Sequence, residues 1–419
     1  LKITITIIVV ALVLFTGCVQ QLVDIDEISL DVEAEMAGVQ RLDTAAVRYL
    51  RGVYRVEEGG GIAADSVALL WSGNEGSVLG EVNALWCALR GGLRGDTVKI
   101  VGTWRFTQGR SVGIVRLAAM PDEGGSDLAL GRNPGKDVVL RGTVSDAQGG
   151  TVRSFVLRRR ANLRSRLRGF WVIGHRGGAR NSDRLGVSEN TVEMIRLAPK
   201  LGCNAVEIDV VRTRDGVPIV FHDERFTPRT VQGAYVLGLV ENYTAQQIQA
   251  TARLTYGERI PTLHAVFDAI IAERQLGLVW VDVKQRVVLD SVMAAVVAAK
   301  QRALAAGRSD LRILVGLPTN DIARAYQDHP LRAQVESICE LSTQITRDVE
   351  ADVWAPRWTA GLQLNEVQGM QREQRLSFTW TLDDPVFMNE FVTDGDFDGI
   401  LTNYPTLLAA KYYTRRGRQ

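Results

Sequence analysis

Neither charge sign dominates this chain. Its 49 lysines and arginines stand against 48 aspartates and glutamates, a formal net charge of +1. It therefore lacks the basic excess that nucleic acid would call for, and nucleic acid is not expected as a partner. Proline is scarce, at 11 residues against 40 glycines, which suits many short strands and turns more than linkers. Apart from Cys18 there are three cysteines, Cys87, Cys203 and Cys339, an odd number without paired spacing. A disulfide framework is not expected, and the three read as small buried apolar residues. No apolar run near the chain start reaches the roughly 20 residues of a membrane span. With only four histidines, each can be weighed separately.

The run that does exist, residues 3–15, follows Lys2 and leads into Thr16-Gly17-Cys18. A basic start, a short apolar core and small residues before a cleavage point describe a secretory signal. The Thr-Gly-Cys ending resembles the lipobox of bacterial lipoproteins, whose cysteine is lipidated and becomes the new N-terminus, although Phe15 stands where leucine is preferred. The expectation is a signal over 1–18 and an extracytoplasmic protein tethered to a bacterial membrane through lipid on Cys18, periplasmic or at the cell surface. A plain cleaved signal or an anchor helix is the alternative. Residues 19–46 read as a polar, acidic spacer or short helix.

Two textures follow. Over 47–160, short alternating segments at 66–71, 97–104, 112–117, 138–144 and 152–157 are separated by glycine and aspartate turns, which predicts an antiparallel sandwich or small barrel. The basic stretch from Arg158 to Arg168 reads as a solvated helix face between domains, with a contact to anionic lipid or nucleic acid as the alternative. Over 170–412 the pattern becomes strand–helix alternation, with strands at 171–174, 205–211, 219–221, 278–283, 313–315, 335–338, 353–355, 377–381 and 399–401. Helices read at 191–201, 263–275, 287–306 and 322–327. Parallel βα units in this number predict a (β/α)₈ barrel. A doubly wound open sheet is the runner-up, without a glycine-rich nucleotide loop to support it. The fold class is thus α/β, a C-terminal barrel preceded by a smaller all-β domain.

The chemistry concentrates in the second texture. In Ala205-Val206-Glu207-Ile208-Asp209-Val210 the two acids share one strand face while the apolar residues take the other. Val281-Asp282-Val283-Lys284 does the same with Asp282 and Lys284. Buried carboxylates that converge need a cation or a shared proton. Three oxygen donors suit one divalent ion of the Mg²⁺ or Ca²⁺ kind, and an internal salt-bridge network is the alternative. His175 ends the first strand and His222 what reads as the third, both at the barrel end where active sites form. They are the candidate acid/base pair. Arg176 and Lys284 offer fixed charge for a phosphate. Such an inventory suits cleavage of phosphate esters.

The ordered run His175-Arg176-Gly177, Glu189-Asn190-Thr191, Glu207-Ile208-Asp209-Val210 and Thr213-Arg214-Asp215-Gly216 through His222-Asp223 resembles the signature of the glycerophosphodiester phosphodiesterase family. Ile260-Pro261-Thr262-Leu263, Phe378-Thr379-Trp380-Thr381 and Asp398-Gly399-Ile400-Leu401-Thr402-Asn403-Tyr404-Pro405 extend the likeness over about 171–410. The resemblance implies a barrel that hydrolyses glycerol-linked phosphodiesters, small molecules, with a divalent metal on Glu207, Asp209 and Asp282. It implies His175 and His222 as acid/base pair, Arg176 and Lys284 on the phosphate, and attack by a neighbouring substrate hydroxyl through a cyclic phosphate.

Three departures from the family pattern are Asp282 for a glutamate, Ser188 for a proline after a longer loop at 177–188, and Asn403 for an aspartate, the last expected to be without catalytic effect. Trp380 is expected to line the pocket or the core, Glu189 and Asn190 to brace the site, His264 to be exposed or capping, and His329 to lie in a loop. A phospholipase C-like or lysophospholipase D-like activity would be favoured by an apolar lip at the mouth, whereas the 177–188 loop is mostly polar. The reading from another class is a surface lipoprotein whose β region binds lipid or glycan.

Overall fold

The computed structural model describes residues 26–134, 137–163, 169–232 and 237–415. The expected signal with Cys18, the start of the spacer, and Arg164, Arg166 and Arg168 lie outside the described residues.

Eight antiparallel strands come first: β1 (Gly52–Gly59), β2 (Ser66–Ser72), β3 (Glu75–Gly80), β4 (Leu85–Arg94), β5 (Thr97–Phe106), β6 (Val112–Ala119), β7 (Val139–Asp146) and β8 (Arg153–Ala161). Each pairs with the next, and β8 returns to β1, so the small barrel is the outcome. Its interior is filled by one row from each strand, with Tyr54, Val67, Leu69, Trp71, Val78, Cys87, Ile100, Val115, Leu140 and Phe155 all buried. Strands β1, β3 and β4 were not marked in the sequence, because charges or glycines interrupt their alternation. The helix Thr44–Leu50, capped by Asp43, lays Ala46 and Leu50 into the same core, and Gln40 bridges Leu93. Residues 40–46, read as spacer, are therefore structural parts of this barrel. Arg158, Arg159 and Arg160 lie in β8 and not on a helix. Arg159 turns its guanidinium onto the Arg51 carbonyl at 3.0 Å.

The remaining strands are β9 (Trp171–Gly174), β10 (Ala205–Arg212), β11 (Pro218–Val220), β12 (Arg225–Phe226), β13 (Val231–Gln232), β14 (Gly238–Leu239), β15 (Arg253–Leu254), β16 (Leu278–Val283), β17 (Arg312–Leu317), β18 (Glu336–Cys339), β19 (Val353–Trp354), β20 (Leu376–Thr379) and β21 (Gly399–Thr402). Of these, β9, β10 and β16 to β21 form the closed parallel barrel, joined by β21–β9 and β9–β10 pairing. One expectation is corrected. Residues 219–221 are not a third barrel strand: β11 runs antiparallel to β10 as a hairpin arm, because the turn 213–217 is too short for the crossover that parallel strands require.

Strand alternation sorts the barrel. Val206, Ile208, Val210, Val279, Val281, Val283 and Ile313 face outward beneath the helices. Ala205, Leu278, Trp280, Leu314 and Phe378 face inward and fill the lower barrel. The next inward positions up from Ala205 and Trp280 are Glu207, Asp209 and Asp282, which places them toward the C-terminal mouth.

The two barrels share a core. Leu70, Leu79, Ala84 and Trp86 of the first pack with Leu201, Leu407, Leu408 and Ala409 of the second. Thr107 Oγ1 meets Thr406 Oγ1 at 3.3 Å, and Lys411 pairs with Glu81 at 2.8 Å. Leu79→Ala is therefore expected to destabilise both together, by about 2–5 kcal/mol as for a buried leucine. In denaturant titrations followed by near-ultraviolet dichroism one transition should shift. Two transitions, only one of them shifted, would refute the shared core.

Candidate active site

Glu207 and Asp209 arrive side by side because they sit two apart on β10, and Asp282 pairs in register with Asp209 on neighbouring β16. One ligand oxygen from each lies within 4.8 Å of the others. Glu207 and Asp209 are buried, Asp282 partly so. Desolvation, and then Asp209 and Asp282, push Glu207 well above the usual carboxylate range. Asp282 is also raised, by burial first. Asp209 is lowered although burial opposes it, because Lys284, His222 and His175 surround it. Lys284 Nζ lies 2.7 Å from Asp209 Oδ1 and 2.5 Å from Asp282 Oδ2. Desolvation alone would lower the lysine, but these carboxylates raise it.

The donor set fits a divalent cation. It consists entirely of carboxylate oxygens, the preference of hard ions. Asp282 Oδ1 is buried without a hydrogen-bond partner, and three carboxylates stand beside the single ammonium of Lys284. The salt-bridge alternative is met in part, since Lys284 does bridge two of the acids.

Local backbone geometry holds this cluster. After β9 the chain turns through Arg176 at φ 54° and Gly177 at φ 86°, a left-handed pair in which a non-glycine residue is uncommon. The turn directs the Arg176 N–H to Glu207 Oε2 at 2.9 Å. Asn190, also left-handed at φ 59°, donates from Nδ2 to Asp209 Oδ2 at 2.7 Å and accepts the Asp209 N–H at 3.2 Å. Asn190 thus braces the cluster. Glu189 braces Arg176 instead, accepting from its Nη1 at 2.8 Å, while Arg176 Nε is buried without a hydrogen-bond partner.

The two histidines sit on opposite supports. His175 Nδ1 lies 2.6 Å from Asn403 Oδ1, and its Nε2 is 3.8 Å from Glu207 Oε2. Asn403 Nδ2 donates to Asp383 Oδ2 at 2.5 Å, which fixes the amide so that its oxygen faces the ring. Nδ1 must then carry the proton, leaving Nε2 as acceptor. Burial holds His175 down at about 4. Asn403, whose replacement of aspartate is expected to be without catalytic effect, therefore touches a site histidine directly. His222 reaches the site from the β11 hairpin. Its Nδ1 lies 2.6 Å from Asp223 Oδ1, and Arg229 holds the other Asp223 oxygen at 2.6 Å.

Other groups complete the rim. Trp380, just past β20, donates Nε1–H to the Ala355 carbonyl at 2.8 Å, and the Arg357 guanidinium lies 4.6 Å over its ring. Glu340, just past β18, was not singled out in the sequence; burial first, then Asp282, pushes it up to about 8. The 177–188 loop is tied down from the first barrel. Arg105 on β5 donates to the Arg184 and Asp183 carbonyls at 2.5 and 3.0 Å. Within the loop, the Asn181 N–H donates to Glu189 at 3.0 Å. Outside the site, His264 is exposed beside Asp268, and His329 lies in a loop near Asp290. Cys87, Cys203 and Cys339 are buried and form no disulfide with one another.

The chain is similar to known proteins. The model of the Glycerophosphoryl diester phosphodiesterase family matches residues 175–407. A Caldanaerobacter subterraneus protein named "Glycerophosphodiester phosphodiesterase" is 37% identical over 124 residues, 28% of this chain and 46% of that protein, so the match spans under half of that relative. A Mycobacterium tuberculosis protein named "Probable glycerophosphodiester phosphodiesterase 2" is 27% identical over 248 residues, 57% of this chain and 88% of that protein. Among solved structures, a glycerophosphodiester phosphodiesterase from Parabacteroides distasonis is similar at 20% identity and a TM-score of 0.46, covering 57% of this chain and 95% of that one.

Asp223 gives a pH prediction. Partial burial opposes its charge, but hydrogen bonds from His222 and Arg229 prevail and lower it from 3.8 to about 2. A carboxylate depressed on folding adds stability above its unfolded value and loses it as pH falls through its folded value. The stability difference between the wild type and Asp223→Asn should thus be full above about pH 4 and shrink toward pH 2. Urea titrations across that window would detect it, and a constant difference would count against the pairing.

Proposed function

Because the chain belongs to the glycerophosphoryl diester phosphodiesterase family, we propose that it hydrolyses glycerophosphodiesters to an alcohol and sn-glycerol 3-phosphate. The observation that carries this reading is the meeting of three acids from β10 and β16 within 4.8 Å, with both His175 and His222 close enough to act on Asp209 electrostatically. Glu207, Asp209 and Asp282 would hold one Mg²⁺ or Ca²⁺. When bound, that ion supplies Lewis acidity toward phosphate oxygens and screens their charge.

The chain's own groups handle binding and protons. Arg176, held at one edge by Glu189, places its guanidinium for the non-bridging oxygens, and Lys284 adds positive charge between the acids. His175, protonated at Nδ1 against neutral Asn403, presents Nε2 to take the proton of the attacking hydroxyl. His222, with Nδ1 against the Asp223 carboxylate, uses Nε2 to deliver a proton to the departing alcohol oxygen. Asn403 and Asp383 are positioning residues for His175, as Asp223 is for His222. Trp380 walls the pocket on the side of the alcohol.

Hydrolysis of glycerophosphocholine and glycerophosphoethanolamine is expected to require divalent metal and to stop with chelator. His175→Ala and His222→Ala should each lose roughly 10²–10⁴-fold, and Asp282→Ala should weaken metal binding measured calorimetrically. Hydrolysis indifferent to chelator and to both histidine substitutions would remove the assignment.

We further propose that the protein is tethered outside the cytoplasm by lipid on Cys18, on the strength of the Lys2, apolar run and Thr16-Gly17-Cys18 pattern. Mass spectrometry of the mature N-terminus in a bacterial host should find an acylated Cys18 peptide, with Cys18→Ser moving the protein to the soluble fraction. An unmodified N-terminus cleaved elsewhere would rule it out.

A further inference from the structure

His222 and Arg176 reach the mouth from different parts of the chain, His222 from the β11 hairpin and Arg176 from the turn after β9. One side chain stands between their supports. Arg229 lies in the tight turn between β12 and β13, where the Thr230 and Val231 N–H groups both donate to the Thr227 carbonyl at 3.0 Å. Pro228 presets the backbone angle of that turn. Phe226 and Val231, on either side, are buried in one apolar cluster, which fixes where the turn sits. From there Arg229 Nη2 donates to Asp223 Oδ2 at 2.6 Å, while its Nη1 stands 3.6 Å from Glu189 Oε1. Each acid also serves the site: Asp223 Oδ1 lies 2.6 Å from His222 Nδ1, and Glu189 Oε1 accepts from Arg176 Nη1 at 2.8 Å. A second tie closes the ring. Asn181 donates its N–H to Glu189 Oε2 at 3.0 Å and its Nδ2–H to Thr255 Oγ1 at 3.1 Å, and the Thr255 hydroxyl donates to the Arg229 carbonyl at 3.4 Å.

We propose that Arg229 is a positioning residue for both halves of the site, orienting His222 through Asp223 and keeping Arg176 available to phosphate through Glu189. The proposal deepens the function given above and rests on it. A guanidinium suits the task because its two terminal nitrogens are held apart in one plane and can serve two acids at once. With both oxygens engaged, the Asp223 carboxylate cannot swing, and the imidazole it holds keeps Nε2 toward the substrate. The Glu189 side chain is 5% exposed against 49% for Arg229, so this acid, nearly closed to water, would otherwise be drawn wholly to Arg176. A second guanidinium beside it leaves Arg176 more of its own charge for the non-bridging oxygens. Arg229 itself stays charged: burial opposes this, but Asp223 and Glu189 outweigh it. An ion pair this exposed adds little to stability, so losing it should tell on the reaction and not on the fold.

The test compares full-length wild type, Arg229→Met, Asp223→Asn, Glu189→Gln and the two double variants that join Arg229→Met to each acid substitution. Two quantities are read with Mg²⁺ or Ca²⁺ present: kcat on glycerophosphocholine, and the calorimetric Kd for sn-glycerol 3-phosphate. Arg229→Met should lower kcat and raise that Kd, each by roughly 10-fold, at a melting temperature close to that of the wild type. The kcat effect should vanish in the Asp223→Asn background and the Kd effect in the Glu189→Gln background, because Arg229 then lacks the acid it acts through. No change in either quantity, or an effect that persists in either background, overturns the proposal; a persistent Kd effect would mean that Arg229 acts on phosphate directly. Inactivity of the wild type would instead sink the proposed function, and the Kd arm would still decide the role of Arg229 toward Glu189.

Discussion

The crowding of three carboxylates in a mouth largely closed to water is the constraint around which the site is built. Side by side on β10 and β16, these acids repel one another and lose hydration, which raises Glu207 and Asp282. The surrounding structure answers with donors: the Arg176 N–H to Glu207, Asn190 and Lys284 to Asp209, and Lys284 again to Asp282. A bound divalent ion would supply the remaining positive charge. Removing one donor leaves its partner unpaired in a low-dielectric setting, which is where such losses are largest.

The small barrel enters this arrangement physically. Its Arg105 holds two carbonyls of the 177–188 loop, the loop's Asn181 holds Glu189, and Glu189 holds Arg176. A shared apolar core beneath keeps the two barrels in fixed relation. The accessory domain thereby stabilises one wall of the mouth.

The hairpin of β10 and β11 shows what pattern reading misses. Residues 219–221 have the composition of a buried barrel strand, and period alone cannot tell a parallel core strand from an antiparallel arm. The short turn decided it. Similarly, a substitution at Asn403 looked silent because nothing in the local sequence ties it to His175 or Asp383, 228 and 20 residues away. Glu340 escaped notice because a single acid at a strand end carries no local signal. Glu189 and Asn190, inside an ordered motif, are the bracing residues legible in the sequence.

Periodicity alone determined that Glu207, Asp209, Asp282 and Lys284 would share inward faces, since side chains alternate along any strand. Repeated strand–helix units determined the parallel barrel, and short alternating segments the all-β domain before it. Only the tertiary structure decided whether that domain closed into a barrel, how β11 brings His222 to the mouth, and which distant residues orient the imidazoles. Those outcomes depend on contacts between segments far apart in the chain, and local spacing carries no information about which segments will meet.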